Sequence, residues 1–210
     1  MKSILSLALL GTLAVSPVAL AQQTDTTGKR FAVVGGVAQS EPTGDARLAS
    51  GARTEIDGDV APTLGASWYV NDSIAVEAWG AVDKFGHRVK VGDRKAGSVN
   101  AQPYAVSGQY HFGTPQGTVR PFVGLGYYEM NFDDEQAQAG GALSGQRIGI
   151  ETAKGPMATV GADLQISDRW FARGDVRYLH GASDLKLNGV PAGEVEANPV
   201  VVGIGIGARF

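Results

Sequence analysis

Residues 200–210 read Val-Val-Val-Gly-Ile-Gly-Ile-Gly-Ala-Arg-Phe. Counting back by twos from Phe210 gives Ala208, Ile206, Ile204, Val202 and Val200, all apolar. The other parity holds Arg209, Gly207, Gly205, Gly203 and Val201, slim or polar apart from Val201. Successive residues of a strand face opposite sides, so this segment has one greasy face and one slim face. As an exposed edge of a soluble sheet it would be an aggregation hazard. A strand that ends on an aromatic residue is instead similar to the closing strand of a bacterial outer-membrane barrel, where the terminal aromatic serves as an assembly signal; Phe210 takes that place.

The opposite end agrees. Lys2 precedes a mostly apolar run from Ile4 to Leu20, and Ala19-Leu20-Ala21 has the small-residue pattern of a secretory cleavage site. Gly11, Ser16 and Pro17 interrupt the run, which favours a removed leader over a membrane anchor. The expected division is a signal peptide at 1–21 and one barrel domain at 22–210, starting at Gln22. No later stretch has the apolar length of a spanning helix, so a membrane location requires strands.

Composition fits this reading. Glycine is 30 of 210 residues, about twice the usual share of ~7 %. There is no cysteine, which removes disulfide and thiolate chemistry. The net charge of −3 and the lack of a basic patch interleaved with aromatics argue against a nucleic-acid partner.

Period-two alternation marks eight strands: 31–38, 61–70, 73–82, 103–112, 120–132, 158–166, 170–178 and 200–210. Short turns at Asn71-Asp72, Gly113–Gly117 and Ser167-Asp168 alternate with long connections near 40–59, 84–101, 133–156 and 180–198. The class is all-β, an eight-stranded antiparallel transmembrane β-barrel with short periplasmic turns and long extracellular loops. Strand lengths are near the about 9–11 residues a tilted crossing needs, and closure satisfies every backbone group in lipid. Aromatics near the turns (Phe31, Trp68, Tyr69, Tyr110, Phe112, Phe122, Trp170, Phe210) and near the loops (Phe85, Tyr104, Tyr127, Tyr128, Phe132, Tyr178) suggest two interfacial girdles.

The segments Asn71–Glu77, Arg120–Gly126, Asp168–Phe171, Asp175–Tyr178 and Gly203–Phe210, in this order and spacing, resemble the outer membrane protein W family of Gram-negative eight-stranded barrels. The resemblance covers nearly the whole mature chain. It implies an outer-membrane location, a narrow barrel with a mainly hydrophobic interior, and passive passage of small hydrophobic molecules that leave sideways through a gap in the wall into the lipid. The chain departs from the family pattern where it has Pro103-Tyr104 in place of paired prolines, and at Lys154, where relatives often carry Trp. It departs again at Pro199-Val200, where relatives tend to have an aromatic after the proline.

The parity opposite the greasy face places Glu77, Gln109, His111, Asp163, Gln165, Arg173, Asp175, Arg177 and Arg209 inside. An eight-stranded barrel is narrow enough for side chains to fill it. Charges of both signs from different strands are therefore expected to pair into a polar plug over Glu77, Gln109, His111, Asp163, Arg173, Asp175 and Arg177. Above it, Trp79, Val89, Ala105, Met157 and Lys154 are candidate channel-lining residues, and Pro103, which cannot donate to a ladder, marks an expected break in the wall.

Catalysis is not expected. His180, Ser183 and Asp184 are neighbours in one loop, and a triad needs convergence in space with an oriented base. His87, His111 and His180 are too scattered for a metal site, and no cofactor is implied. The loop residues Lys84, His87, Arg88, Lys90, Arg94 and Lys95 suit either solvent or lipopolysaccharide phosphates; Asp133-Asp134-Glu135 suits solvent. Expected partners are outer-membrane lipid and lipopolysaccharide, the barrel-insertion machinery and small hydrophobic solutes. The competing reading is a structural or surface-interaction barrel whose long loops bind a partner, phage or bacteriocin.

Overall fold

The computed structural model describes residues 28–43, 46–48, 53–57, 59–91, 94–137, 148–187, 190–195 and 198–210. The leader expected at 1–21 lies outside them. Eight long strands form the wall: β1 (Phe31–Glu41), β2 (Asp59–Tyr69), β3 (Ile74–Ala81), β4 (Arg94–His111), β5 (Val119–Ala137), β6 (Ala153–Gln165), β7 (Trp170–Leu179) and β8 (Val200–Arg209). Each pairs antiparallel with its sequence neighbours, and β1 pairs with β8 from Ala32↔Arg209 to Glu41↔Val200. The sheet is thus closed, with no free edge in the membrane. Phe210 completes the seam, its N–H donating to the Phe31 carbonyl at 2.7 Å while the Phe31 N–H donates back at 3.1 Å.

The alternation seen in the last strand runs around the whole wall. Val33, Leu64, Val76, Val106, Leu125, Val160, Val176, Ile204 and Ile206 point outward and are exposed in the isolated chain. This apolar belt is the surface that lipid covers. The slim face of β8 points inward, where side chains of the next strand occupy the space. A Cβ on Gly207 would lie 2.3 Å from the Phe171 ring, and one on Gly203 would lie 3.3 Å from the Asp175 carboxylate.

The turns at one end are tight. The Asn71 side chain accepts hydrogen bonds from the Ser73 and Ile74 N–H groups, both at 2.8 Å, the local capture that suits Asn to turns. Gly113 has φ of 74°, a left-handed conformation that disfavours a side chain.

Two expectations need correction. The long connections are not irregular throughout: Ala46–Leu48, Arg53–Asp57, Phe85–Val91, Ile148–Ile150, Ser183–Leu187 and Val190–Val195 are strands that extend the sheet beyond the barrel. The start of β4 belongs to the same extension, pairing with Phe85–Val91. Outside the membrane neither face must be apolar, so these strands lack the alternation that marks the others. The girdles are also thinner than expected. Phe31, Trp68, Tyr110, Phe112, Trp170 and Phe210 point outward at the turn end, but Tyr69 and Phe122 point into the lumen. At the loop end Tyr104, Tyr127 and Tyr178 face lipid, whereas Phe85 and Tyr128 are buried inside. Height along a strand and parity are separate coordinates, and the girdle reading used only the first.

Candidate functional site

The lumen has two layers. In the half nearer the turns, β3, β6, β7 and β8 bring six charges into one alternating chain. Arg177 donates through Nε to Asp175 Oδ2 at 2.7 Å and through Nη1 to Glu77 Oε2 at 2.9 Å. The other Glu77 oxygen accepts from Arg173 Nη1 at 2.8 Å. Arg173 also grips Asp163 with two bonds, at 2.7 and 3.1 Å, and Arg209 Nη2 closes the chain on Asp163 at 2.8 Å. Gln109 donates to Glu77 Oε2 at 2.7 Å and lies 3.1 Å from His111 Nε2.

Three carboxylates therefore meet three guanidiniums, and the chain is neutral. Glu77, Asp163, Arg173 and Arg177 are each at most 3 % exposed. Charges this deep are costly unless every one is paired, and here alternation around the barrel supplies the partners. Aromatic faces take up the guanidinium planes: Arg173 lies 4.6 Å from the Phe122 centroid and Arg209 4.4 Å from that of Phe171. All seven residues expected in the plug point inward, and the structure joins six of them directly by hydrogen bonds between side chains, with His111 in contact with Gln109.

Toward the loops the lumen turns apolar. Trp79, Ala105 and Met157 pack with Phe85, Tyr128, Met130 and Leu179 in one buried cluster. Of the last four, Phe85 and Tyr128 were expected in the loop-end girdle and Met130 and Leu179 were not singled out, although Tyr128 and Met130 share the inward parity of Phe122 on β5. Lys154 is a correction. It falls on the outward parity of β6, is exposed, and stands opposite Glu129 of β5, so it does not line the lumen. The side chain of Val89 lies outside those described, as do those of His87, Arg88, Lys90, Arg94, Lys95, Asp133, Asp134 and Glu135.

Pro103 sits inside β4 rather than at its start and is buried. On the β5 side it pairs in register with Met130. On the other side the ladder to β3 ends at Gly80↔Tyr104, and the ladder to Phe85–Val91 begins at Phe85↔Ala101. Gln102 and Pro103 belong to neither. Gln102 spans the break with its side chain, donating Nε2 to the Ala81 carbonyl at 3.0 Å. Over this break lies a groove of about 680 Å³. Its lining combines outward residues (Leu64, Ala66, Ala78, Tyr104, Val106, Tyr127) with inward ones (Trp79, Ala105, Tyr128).

Of the loop residues weighed for catalysis, His180 and Ser183 each have other partners, and the side chain of Asp184 lies outside those described. Ser183 donates its hydroxyl to the Glu151 carbonyl, and the His180 ring stacks beside Tyr178 with centroids 6.2 Å apart. Among the described residues no group of three His, Asp or Glu side chains is gathered as a metal site.

Comparison with known proteins places this architecture. A family model described as OmpW family matches residues 28–210. Outer membrane protein W of Vibrio cholerae serotype O1 is 27 % identical over 226 aligned residues, covering 100 % of this chain and 99 % of its own. Outer membrane protein W of Salmonella typhi is 28 % identical over 149 residues, 69 % of this chain and 70 % of that protein. Among solved structures, the crystal structure of OprG from Pseudomonas aeruginosa superposes with a TM-score of 0.77 at 21 % identity, covering 90 % of this chain and 98 % of that one. The structure of AlkL in DMPC bilayers gives 0.65 at 23 % identity, covering 93 % and 95 %. At these identities the two structures speak to the fold.

Proposed function

This chain belongs to the OmpW family of Gram-negative outer-membrane barrels, and from that premise we propose that it offers a passive path for small hydrophobic molecules with a lateral exit into the membrane. The solute enters at the loop end, where the lumen is apolar, and is stopped by the charged chain of Asp175, Arg177, Glu77, Arg173, Asp163 and Arg209. A greasy solute gains nothing by displacing paired charges. Its way out is sideways, past Trp79 and Ala105, at the level where Gln102 and Pro103 leave the β3–β4 ladder.

The observation that carries this reading is the coincidence of three features at one height: the break in pairing, the groove of about 680 Å³ over it, and the apolar cluster behind it. A break elsewhere would open onto the charged chain or onto water. Uptake of a hydrophobic fluorescent probe by cells making the barrel, compared with cells lacking it, tests the proposal. Barrel-dependent uptake supports it and unchanged uptake counts against it.

A second reading draws on the sheet beyond the barrel. Strands at 85–91, 53–57, 46–48, 190–195 and 183–187 pair in that order at the loop end, giving a surface on which a partner could dock. Under that reading the lumen residues serve packing alone, and probe uptake does not depend on them.

A further inference from the structure

The turn end of the barrel holds a pocket of about 210 Å³ whose wall carries four cationic residues, Lys29, Arg30, Arg120 and Arg209, against two acidic ones, Asp72 and Asp168, beside Tyr69 and Gln165. Its chemistry is set by a charge that the lumen does not balance. The alternating chain uses every one of its carboxylates on Arg173, Arg177 and Arg209. Arg120, at the start of β5, is a further guanidinium, 2 % exposed. It donates Nη2 to the backbone carbonyl of Asp72 and lies 5.5 Å from the Tyr69 ring centroid, and it makes no ion pair among the described residues. Its Nε has no hydrogen-bond partner, nor has the hydroxyl of Tyr69, itself 4 % exposed.

A buried guanidinium that hydrogen-bonds no carboxylate is incompletely compensated, even with the Asp72 and Asp163 carboxylates near enough to act on it electrostatically. Its planar fork matches carboxylate or phosphate geometry, and a phenol hydroxyl beside it supplies a neutral donor. We propose that this pocket binds a small oxyanion, a carboxylate or phosphate group presented from the periplasm, held by the Arg120 guanidinium and the Tyr69 hydroxyl with Arg209 adding positive potential. The site is independent of the hydrophobic path, because the charged chain lies between the pocket and the apolar lumen.

The test is an NMR titration of the full barrel in phosphatidylcholine nanodiscs. Sodium phosphate and sodium acetate are added in separate series, against sodium chloride at matched ionic strength, while the Gln165 side-chain amide and the Tyr69 backbone amide are followed. The expected result is a saturable shift with phosphate, acetate or both that chloride does not reproduce; the salt that saturates identifies the source. Loss of one charge-assisted contact predicts about tenfold weaker binding in Arg120→Gln, and loss of a neutral one about fivefold weaker binding in Tyr69→Phe. If Arg120→Gln does not fold, judged by heat-modifiable mobility, Arg120→Lys and Tyr69→Phe decide, both expected to bind more weakly than the native chain. Shifts no different from chloride, or affinity unchanged in folded variants, overturn the proposal.

Discussion

The guanidinium carbon of Arg177 lies 4.4 Å from the centroid of the Trp79 ring. This contact is the boundary between the two layers of the lumen. Below it Arg177 is tied to Glu77 and Asp175; above it Trp79 opens the apolar cluster. A ring quadrupole is one of the few apolar surfaces a guanidinium can face without loss, so Trp79 ends the charged layer and begins the hydrocarbon one.

That position makes Trp79 a reporter. Trp68 and Trp170 are each 51 % exposed on the outer wall, whereas Trp79 is 8 % exposed inside. With Trp68 and Trp170 replaced by Phe, emission comes from the lumen alone. A small brominated hydrocarbon is expected to quench it in a saturable manner, while a variant retaining only Trp68 shows quenching that rises linearly with solute in the lipid. Linear behaviour in both would leave no lumenal site.

Arg173 is the link between the two halves of the charged chain, bonded to both Asp163 and Glu77. Arg173→Gln leaves Glu77 with only Arg177 and Asp163 with only Arg209, one buried negative charge in excess, and is expected to cost about 3–5 kcal/mol. Adding Glu77→Gln restores neutrality, leaving the Asp175–Arg177 and Asp163–Arg209 pairs intact, and should recover part of the loss. Urea-dependent folding into vesicles measures both. Equal stability of Arg173→Gln and the native barrel would contradict the pairing described here.

The slim face of β8 makes a packing prediction. Because a Cβ on Gly207 would press on Phe171 at 2.3 Å, Gly207→Ala is expected to destabilise by about 1–3 kcal/mol. In the Phe171→Leu background the same change should cost less. The difference between the two backgrounds, read from the same urea titrations, isolates the ring contact, and additive costs would show the glycine is there for another reason.

Much of this architecture was legible in the sequence because lipid imposes one strict rule, outward residues apolar, on every strand. Leu64, Val76, Val106 and Ile204 follow it, which fixed parity and so turned Glu77, Asp163 and Arg173 inward. Where lipid stops, so does the signal. The strands at 85–91, 183–187 and 190–195 looked like loops because water tolerates either face. Lys154 looked like a channel residue from its place in a family pattern, although its own parity on β6 points outward. Arg120 stood out only as part of the Arg120–Gly126 family segment, not as an inward charge, because it adjoins a turn; the step of two to Phe122 and Gly124 places it inside. The break at Pro103 was readable from a missing N–H, but the bridge made by Gln102 was not, since nothing local pairs it with Ala81.

The most direct measurement is probe uptake by cells carrying three versions of the barrel at equal folded amounts. Ala105→Trp fills the lumen opposite Trp79, and Ala66→Trp fills the groove on the outer wall. The account predicts fast uptake by the native barrel and slow uptake by both variants, since both lie on one path. Uptake that is the same in all three would contradict the path through the wall.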